Sequence, residues 1–295
     1  MDINFEYYKI FYYVAKYKNI TKAARVLKSS QPNVTRIIKL LEAQLSCKLF
    51  IREPRGLRLT EEGAHLYSHV EVACQHLLKA ENEITSAESD GKGSVSVGVT
   101  ETALHLFLLQ TLHHFKQNYP AIRIKIQNNT TLEILKSLLS GKIDFAIVTT
   151  PFALSDNLCR EKMMEYQEIL VAGTDYASLS EKTLSLEELH GYPLIGLGNG
   201  TVTHEFYKNL FIEHQIDYEL DMEVATSDLI LPLIQNNLGI GFVAEALAAP
   251  LLRENRLVQV RHTLHVPKRE IHMVWDKERG KSRAADTFCR YLENR

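Results

Sequence analysis

Hydrogen-bonding and cationic side chains are concentrated between Ser30 and Lys39. Ser30 is a favourable N-cap residue and Pro32 suits a first helical turn, so a helix is predicted to begin near Gln31. One face of that helix presents amide, hydroxyl and cationic groups, from Gln31, Asn33, Thr35, Arg36 and Lys39. Such groups match base edges and phosphates in a DNA major groove, and the helix N-terminus adds partial positive charge. The pattern predicts a helix that reads DNA.

The opposite face of this helix is apolar, which indicates how the helix is held. Apolar residues recur at helical spacing, at Val34, Ile37, Ile38, Leu41 and Leu45. Two helices are predicted to pack against them. One runs from Thr21 to Leu27 and is capped by Thr21, and the other covers residues 2–17, with an apolar, mostly aromatic stripe of Phe5, Tyr8, Phe11, Tyr12 and Ala15. This periodicity is equally typical of any small helical hairpin, so charge is needed to separate the two interpretations.

Charge is distributed unequally along the chain. Residues 1–60 contain 12 Lys or Arg and 4 Asp or Glu, a net charge of +8. Residues 61–295 carry a net charge of −10, so the whole chain is close to neutral at −2. A basic head on an acidic body is expected where one end of a protein neutralises phosphates. This asymmetry favours the DNA-binding interpretation.

Two further elements follow the DNA-reading helix. Residues 51–59 are basic and turn-containing, and they predict a hairpin, or wing. Its Arg52, Arg55 and Arg58 are expected to reach phosphates or a minor groove; for each of them a merely solvated hairpin is an equal alternative. A long helix is predicted from Thr60 to about residue 89. Its seam indicates dimerisation, because its own domain offers it no partner, and consists of Tyr67, Val70, Cys74, Leu77, Glu81 and Ile84.

The remaining residues alternate strands with helices. After the hinge-like segment 89–94, strands are predicted at 95–99, 122–127 and 145–148. The alternation restarts at 194–197, 220–225 and 241–243, and residues 282–292 predict a closing helix. Two α/β lobes with parallel strands are implied, linked by crossing strands within 160–173 and 257–275. Ligands of such sheets bind at the carboxyl ends of the strands.

A motif of fixed spacing covers the helices near the N-terminus. It is T-x-A-A-x-x-L-x-x-S-Q-P-x-V-[ST]-x-x-I-x-x-L-E-x-x-L, from Thr21 to Leu45, and through it the sequence resembles the LysR-type transcriptional regulators. The resemblance implies an α plus α/β fold with a winged helix-turn-helix (1–60), a linker helix (61–89) and a two-lobed effector-binding domain (90–295) resembling periplasmic binding proteins. The lobes are expected at about 94–160 with 268–295, and at about 161–267.

Two residues of the N-terminal domain depart from the family pattern. Ser46 replaces a usual glycine, and a locally altered turn is expected there, because a side chain in a left-handed cap costs about 1 kcal/mol. Asn33 replaces a usual small residue such as alanine, so base preference is expected to differ.

The resemblance also implies an inducer between the lobes, bound by residues that follow strands or begin helices. The first lobe offers Thr100, Glu101, Thr102, Asn129, Thr130 and Thr149. The second offers Asn199, Gly200, Thr201, Thr226 and Ser227. Hydroxyls, amides and open N–H groups suit a small polar or carboxylate ligand, although each Thr or Asn is equally an ordinary cap or turn residue. An unpaired Glu101 carboxylate would repel an anion.

The expected function is ligand-responsive, sequence-specific transcription regulation. DNA contacts are expected from Ser30, Gln31, Pro32, Asn33, Thr35, Arg36, Lys39, Arg52 and Arg55. A two-fold dimer would bind an imperfect palindrome in double-stranded DNA, and the family adds tetramers and RNA polymerase as partners.

Other features of the sequence indicate where in the cell the protein is located and which other functions stay open. There is no signal or membrane-spanning run and no CxxC pair, so a cytoplasmic location with reduced thiols is expected. No cofactor is expected; His65 and His69 lack a third metal ligand, and no catalytic motif is present. A solute-binding protein, or a ligand-transforming enzyme with a basic DNA-associating head, stays open as an alternative.

Overall fold

In the computed structural model, which describes residues 3–53, 56–86 and 93–293, the chain separates into two units, Met1–Glu88 and Ser89–Arg295. The elements of the first unit are α1 (Phe5–Tyr17), α2 (Ile20–Val26), α3 (Gln31–Leu45), β1 (Phe50–Glu53), β2 (Gly56–Leu59) and α4 (Glu61–Ser86). β1 and β2 pair antiparallel, from Phe50 opposite Leu59 to Glu53 opposite Gly56, and form the predicted wing. Its tip, at residues 54 and 55, lies outside the described residues.

Side-chain caps set where these helices begin. The Ser30 hydroxyl accepts a hydrogen bond from the Asn33 N–H at 3.3 Å, and α3 starts at Gln31 as predicted. The cap of α2 is Asn19, whose Oδ1 accepts from the Lys22 N–H at 2.9 Å. The prediction that Thr21 caps α2 was therefore wrong, because the helix already includes Thr21.

The core of the first unit lies between α1, α3 and α4. The predicted apolar face of α3 is buried from Val34 to Leu41, and Phe11 and Tyr12 of α1 are buried beneath it. Phe5, assigned to the same aromatic stripe, is 55% exposed, so the stripe contributes to the core only further along α1.

The seam of α4 has a partner within its own unit, contrary to the prediction. The Tyr67 ring stacks on the Tyr12 ring of α1 at 6.2 Å, and Val70 and Cys74 are buried in the same core. Burial raises the pKa of Tyr67, and its hydrogen bond to Glu71 raises it further. Leu77 is 49% exposed and is available to another partner. The side chain of Ile84, and residues 89–92 of the predicted hinge, lie outside the described part of the chain.

The second unit consists of two lobes. Its strands are β3 (Gly93–Val99), β4 (Ile122–Asn128), β5 (Phe145–Thr149), β6 (Leu158–Tyr166), β7 (Glu168–Ala172), β8 (Thr183–Leu184), β9 (Ile195–Leu197), β10 (Met222–Val224), β11 (Ile240–Ala244), β12 (Val258–Gln259), β13 (Arg261–His262) and β14 (Arg269–Asp276). Its helices are α5 (Glu101–Ala103), α6 (Leu109–Asn118), α7 (Thr131–Leu139), α8 (Leu186–Leu189), α9 (Val202–Glu213), α10 (Ile230–Gln235), α11 (Glu245–Arg253) and α12 (Arg283–Glu293). A π-helical turn, Leu104–Leu108, joins α5 to α6.

The first lobe is built on a five-stranded sheet with the order β4-β3-β5-β14-β6. β3, β4 and β5 are parallel as predicted, whereas β14 is antiparallel to β5 and β6. The rings of Phe115, Phe145 and Phe288 are fully buried beside it, where α6 and α12 cover the sheet. β6 belongs wholly to this sheet, so the first lobe reaches Tyr166 rather than about residue 160.

The second lobe repeats this alternation with shorter strands. β9 and β10 are parallel, a parallel bridge joins Leu194 to Ile240, and β7 lies antiparallel between β11 and β12. The chain crosses between lobes twice, at Gln167 and again between β13 and β14. Both crossings fall within the two segments predicted to cross. The helices α8 and α11 were not predicted, because α8 is a single turn and α11 contains Pro250.

Ser46 keeps the left-handed cap at the end of α3, with φ 55° and ψ 27°. The expectation of an altered turn was wrong, because two backbone hydrogen bonds from the cap N–H, to Ala43 and Glu42, hold this conformation.

Ser46→Gly is therefore expected to raise the free energy of unfolding by about 0.5–1 kcal/mol, measured by thermal denaturation. Ser140→Gly is the matched control, since Ser140 ends α7 at φ −78°, where glycine destabilises. Equal effects of the two substitutions would contradict the strain at Ser46.

Candidate functional site

The face of α3 that points away from the core carries the residues predicted to contact DNA. Ser30, Gln31, Pro32, Arg36 and Lys39 are exposed, and Asn33 and Thr35 are half-buried. This arrangement follows from the helical period, because burial of the Val34–Leu41 stripe turns the polar positions outward. The N-terminus of α3, which Ser30 caps, lies at the same face.

Hydrogen bonds connect three side chains on this face. The Asn33 amide donates to the Ser29 hydroxyl at 3.0 Å, and its Oδ1 accepts from the Arg36 guanidinium at 3.0 Å. Asn33 thus holds Arg36 at a defined place on the helix, which a small residue would not do. Ser29 is the first member of this row. The Thr35 hydroxyl donates to the backbone carbonyl of Gln31 at 2.9 Å, and its oxygen can still accept a hydrogen bond.

The wing adds cationic side chains, although they are not equivalent. Arg52 is exposed on β1. Arg58 on β2 pairs with Glu53 at 2.9 Å, so part of its charge is neutralised. Arg55 lies outside the described residues.

Glu42 connects α3 to the wing, a role that its sequence position alone does not indicate. Its side chain is only 8% exposed. Its carboxylate accepts hydrogen bonds from the Leu49 N–H at 2.9 Å and the Phe50 N–H at 3.4 Å, and from Lys48 Nζ at 3.0 Å. A buried backbone N–H requires such an acceptor. Glu42 therefore fixes where β1 starts relative to α3.

A cleft lies between the two lobes of the second unit. Most of the predicted effector residues line it, namely Thr100, Glu101, Thr102, Asn129, Thr130, Thr149, Thr201, Thr226 and Ser227. The hydroxyls of Thr102 and Ser227 meet across it at 3.3 Å. Additional lining residues that were not predicted are Asn128, Thr131, Leu197, Val202, Thr203 and Ala225.

Asn199 and Gly200 are not among the residues that line the cleft. The Asn199 side chain accepts a hydrogen bond from the Gly200 N–H at 2.8 Å, so it stabilises its own turn. Gly200 has φ +84°, a conformation that glycine adopts readily. These two residues therefore do not line the cleft, and their effector role stays a prediction.

The hydroxyls in the cleft differ in what they have left to bind. Thr201 accepts from the His204 N–H at 3.1 Å and donates to the Gly198 carbonyl at 3.0 Å, and Thr130 accepts from the Glu133 N–H at 3.4 Å. These two act as ordinary caps. By contrast, the buried hydroxyl oxygens of Thr100 and Thr131 have no hydrogen-bond partner among the described residues. Burial without a partner is costly, so these two hydroxyls are the ones suited to a ligand.

Glu101 is not the unpaired carboxylate considered from the sequence. One of its oxygens lies 2.8 Å from His105 Nε2, and the other accepts from the Asn128 amide at 2.5 Å. Both oxygens are occupied, so the expected repulsion of an anionic ligand is reduced.

A buried charged cluster lies directly behind the cleft. Arg269 Nη1 lies 3.2 and 3.1 Å from the two carboxylate oxygens of Glu168, and the Tyr207 hydroxyl donates to Glu168 at 2.8 Å. Burial raises the pKa of Tyr207, and the Glu168 carboxylate raises it further. Burial alone would lower the pKa of Arg269, but the attraction of Glu168 outweighs it, and the pKa of Arg269 is raised. Arg269 therefore stays charged and Tyr207 stays neutral at physiological pH.

Comparison with known proteins identifies the architecture. Residues 5–64 match the sequence profile of the bacterial regulatory helix-turn-helix protein, lysR family, and residues 88–295 match that of the LysR substrate binding domain. The chain belongs to the LysR family. It is thus a DNA-binding transcription regulator with an effector-binding domain, as the sequence motif predicted.

Individual relatives are similar to this LysR-family chain over most of its length. It is 29% identical over 289 residues to a probable RuBisCO transcriptional regulator of Phaeodactylum tricornutum, with 95% of this chain and 93% of that protein covered. It is also 29% identical over 235 residues to the HTH-type transcriptional regulator YofA of Bacillus velezensis, with coverage of 80% and 78%. The crystal structure of CbnR, a LysR family transcriptional regulator, shares its fold with a TM-score of 0.71, 22% identity and 99% coverage of each chain.

The LysR family consists of transcription regulators rather than enzymes, and its helix-turn-helix domain favours regulation over simple solute binding. Among the described residues, no three His, Cys, Asp or Glu side chains are grouped to hold a metal; His65 and His69 meet as a pair of rings at 5.1 Å. All four cysteine thiols are free. No helix in the described ranges is long and apolar enough to cross a membrane.

Proposed function

We propose that the exposed face of α3 reads base pairs in the major groove of DNA. Gln31, Asn33, Thr35 and Arg36 supply amide, hydroxyl and guanidinium groups to base edges, with Ser30 and Pro32 at the helix entry. Lys39, Arg52 and Arg55 hold phosphates, which position the helix without selecting sequence. The observation that carries this assignment is the hydrogen-bonded row from Ser29 through Asn33 to Arg36, which presents a guanidinium held in place on the surface of a basic unit.

The cleft of the second unit is proposed to bind a small polar or carboxylate effector. The buried, unpartnered hydroxyls of Thr100 and Thr131 support this assignment, because a ligand acceptor or donor would satisfy them. Glu101 is the titratable side chain among the described residues that line the cleft, and both its oxygens are occupied. We therefore propose that the effector is bound and released without chemical change, and that no cofactor takes part.

The active form is proposed to be a homodimer, or a tetramer made of two dimers, in the cytoplasm. In this arrangement residues 1–60 bind DNA, residues 61–89 dimerise and residues 90–295 bind the effector. Leu77 on α4 is 49% exposed and provides apolar surface for a second copy. A two-fold dimer implies an imperfect palindrome with half-sites about one helical turn apart or a multiple of it. RNA polymerase is proposed as a further partner. The DNA-binding proposal is supported by CbnR, whose fold is similar and which has been crystallised in complex with its target DNA.

The experiment that tests this function is selection of genomic fragments by the purified full-length protein at stated salt, followed by footprinting with and without candidate metabolites. Enrichment of an imperfect palindrome whose footprint changes with one metabolite is expected. Binding that is sensitive to salt but indifferent to sequence would contradict specific recognition, because phosphate contacts alone produce that behaviour.

Arg36→Ala is expected to weaken binding to the selected site by about 1–3 kcal/mol, while binding to a scrambled duplex changes little. The reason is that a guanidinium pairs with a guanine edge through two hydrogen bonds, which only the correct base pair offers. Fluorescence anisotropy titrations on both duplexes measure the difference. Lys39→Ala is the matched control, since loss of a phosphate contact should weaken both duplexes alike. An equal loss on both duplexes with Arg36→Ala would remove Arg36 from the base-reading set.

A further inference from the structure

Arg269 is a buried arginine that bonds to both lobes of the second unit. It begins β14, where the chain returns from the second lobe to the first, and it is 2% exposed. Its Nε donates to the Thr150 carbonyl of the first lobe at 2.7 Å. Its Nη1 contacts Glu168 of the second lobe, and its Nη2 donates to the Thr203 hydroxyl on α9 at 2.9 Å. One guanidinium therefore connects the crossing strands with the start of α9.

Aromatic rings hold this guanidinium in place. Its central carbon lies 5.7 Å from the centre of the Tyr166 ring and 5.1 Å from that of Phe206. The guanidinium is planar and offers several donors in fixed directions, which a lysine ammonium does not. The position of the Thr203 hydroxyl is therefore determined by a rigid, buried group.

Thr203 is the point where this cluster reaches the cleft, which it lines together with Thr100 and Thr131. Its oxygen accepts from Arg269, and no described group accepts the hydrogen of its hydroxyl. That hydrogen is left for a ligand, and the neighbouring cation strengthens it as a donor. The partner that suits such a donor is a negatively charged oxygen.

We propose that Arg269 is a positioning residue for the effector, and that Thr203 donates its hydroxyl hydrogen to a carboxylate or phosphate oxygen of that effector. This inference rests on the proposed role of the cleft as the effector site. Arg269 does not touch the ligand. It holds the Thr203 hydroxyl, which contacts the ligand. Through its bonds to Thr150 and Glu168 it also fixes both walls of the cleft relative to that hydroxyl.

The test is isothermal titration of the full-length protein with succinate and with inorganic phosphate, and with succinamide as the uncharged comparison. Binding of at least one anion is expected, with little binding of succinamide. Thr203→Val and Arg269→Lys are each expected to weaken anion binding about tenfold, because the first removes the hydrogen bond to the ligand oxygen and the second removes the guanidinium that positions the Thr203 hydroxyl. Thr203→Ser retains the hydroxyl and is expected to bind as the parent does. The double variant Thr203→Val/Arg269→Lys should be no weaker than Thr203→Val alone, since Arg269 acts through Thr203.

Several outcomes would overturn the inference: no anion binding by the parent protein, equal affinity of the Val and Ser variants, or succinamide binding as tightly as succinate. Additive losses in the double variant would overturn the positioning role of Arg269. If Arg269→Lys fails to fold by circular dichroism, the Val and Ser variants at position 203 still decide the matter. Footprinting of the same preparations separates the two hypotheses. Intact sequence-specific DNA binding without anion binding refutes this inference alone, whereas anion binding without specific DNA binding refutes the proposed regulator.

Discussion

Replacement of Glu168 by glutamine is expected to lower the free energy of unfolding by about 3–5 kcal/mol, because it leaves the buried Arg269 cation without its counter-charge. Both side chains of this pair are almost fully buried, at 3% and 7% exposure. Water cannot replace the lost carboxylate there. The chain has one tryptophan, and Trp275 lies on β14, so its fluorescence during urea unfolding reports on the unit that contains the pair.

A matched control is provided by Glu133→Gln. Glu133 pairs with Lys136 at 2.9 Å, but both side chains are more than half exposed, and such a pair contributes only a few tenths of a kcal/mol. The double substitution Glu168→Gln/Arg269→Met should recover part of the loss, since it removes the uncompensated charge. A Glu168→Gln protein as stable as Glu133→Gln would show that the buried pair does not contribute as its geometry implies.

Replacement of Glu42 by alanine is expected to destabilise the first unit by about 2–3 kcal/mol, because the buried Leu49 N–H loses a charged acceptor. Amide hydrogen exchange at Leu49 and Phe50 measures this directly, and protection should fall by about 30- to 150-fold where it reflects local opening. Since β1 would lose its attachment to α3, DNA affinity is also expected to fall for all sequences alike.

Glu42→Gln is the informative comparison for this prediction. Glutamine keeps one acceptor oxygen for the Leu49 N–H and loses the attraction to Lys48, which is 77% exposed and contributes little. Its effect should therefore be clearly smaller than that of alanine. Unchanged protection at Leu49 in Glu42→Ala would mean that the wing is held by apolar contacts alone.

The two predictions concern the same physical situation in different units. In each, a buried carboxylate satisfies a group outside its own helix or strand: the Leu49 N–H for Glu42, and the Arg269 guanidinium for Glu168. Neither carboxylate was expected to have this role, since glutamate in a helix or strand is usually solvated. The cost of leaving a buried donor or cation unpaired makes these positions sensitive to substitution.

Secondary structure and the surface of α3 could be predicted from sequence because their causes are local. The Ser30 cap accepts a hydrogen bond from the N–H three residues ahead. In the stripe from Val34 to Leu41, each buried residue lies about one helical turn from the next along the face. The alternation of strands and helices in the second unit is likewise recorded in short apolar runs. Helix capping by Asn19 rather than Thr21 shows the limit of such patterns, since two polar residues only two positions apart offer similar caps.

The sequence by itself determined the type and approximate place of most elements, the basic first unit and the outward face of α3, because periodicity and charge are properties of neighbouring residues. Only the tertiary structure decided which hydroxyls of the cleft lack a hydrogen-bond partner, that Asn199 and Gly200 do not line the cleft, and that Tyr67 and Cys74 pack in one core with α1. It also decided that Arg269 meets Glu168, 101 positions earlier in the chain. Hydrogen-bond satisfaction and burial depend on which segments come together in space, and no local pattern records that.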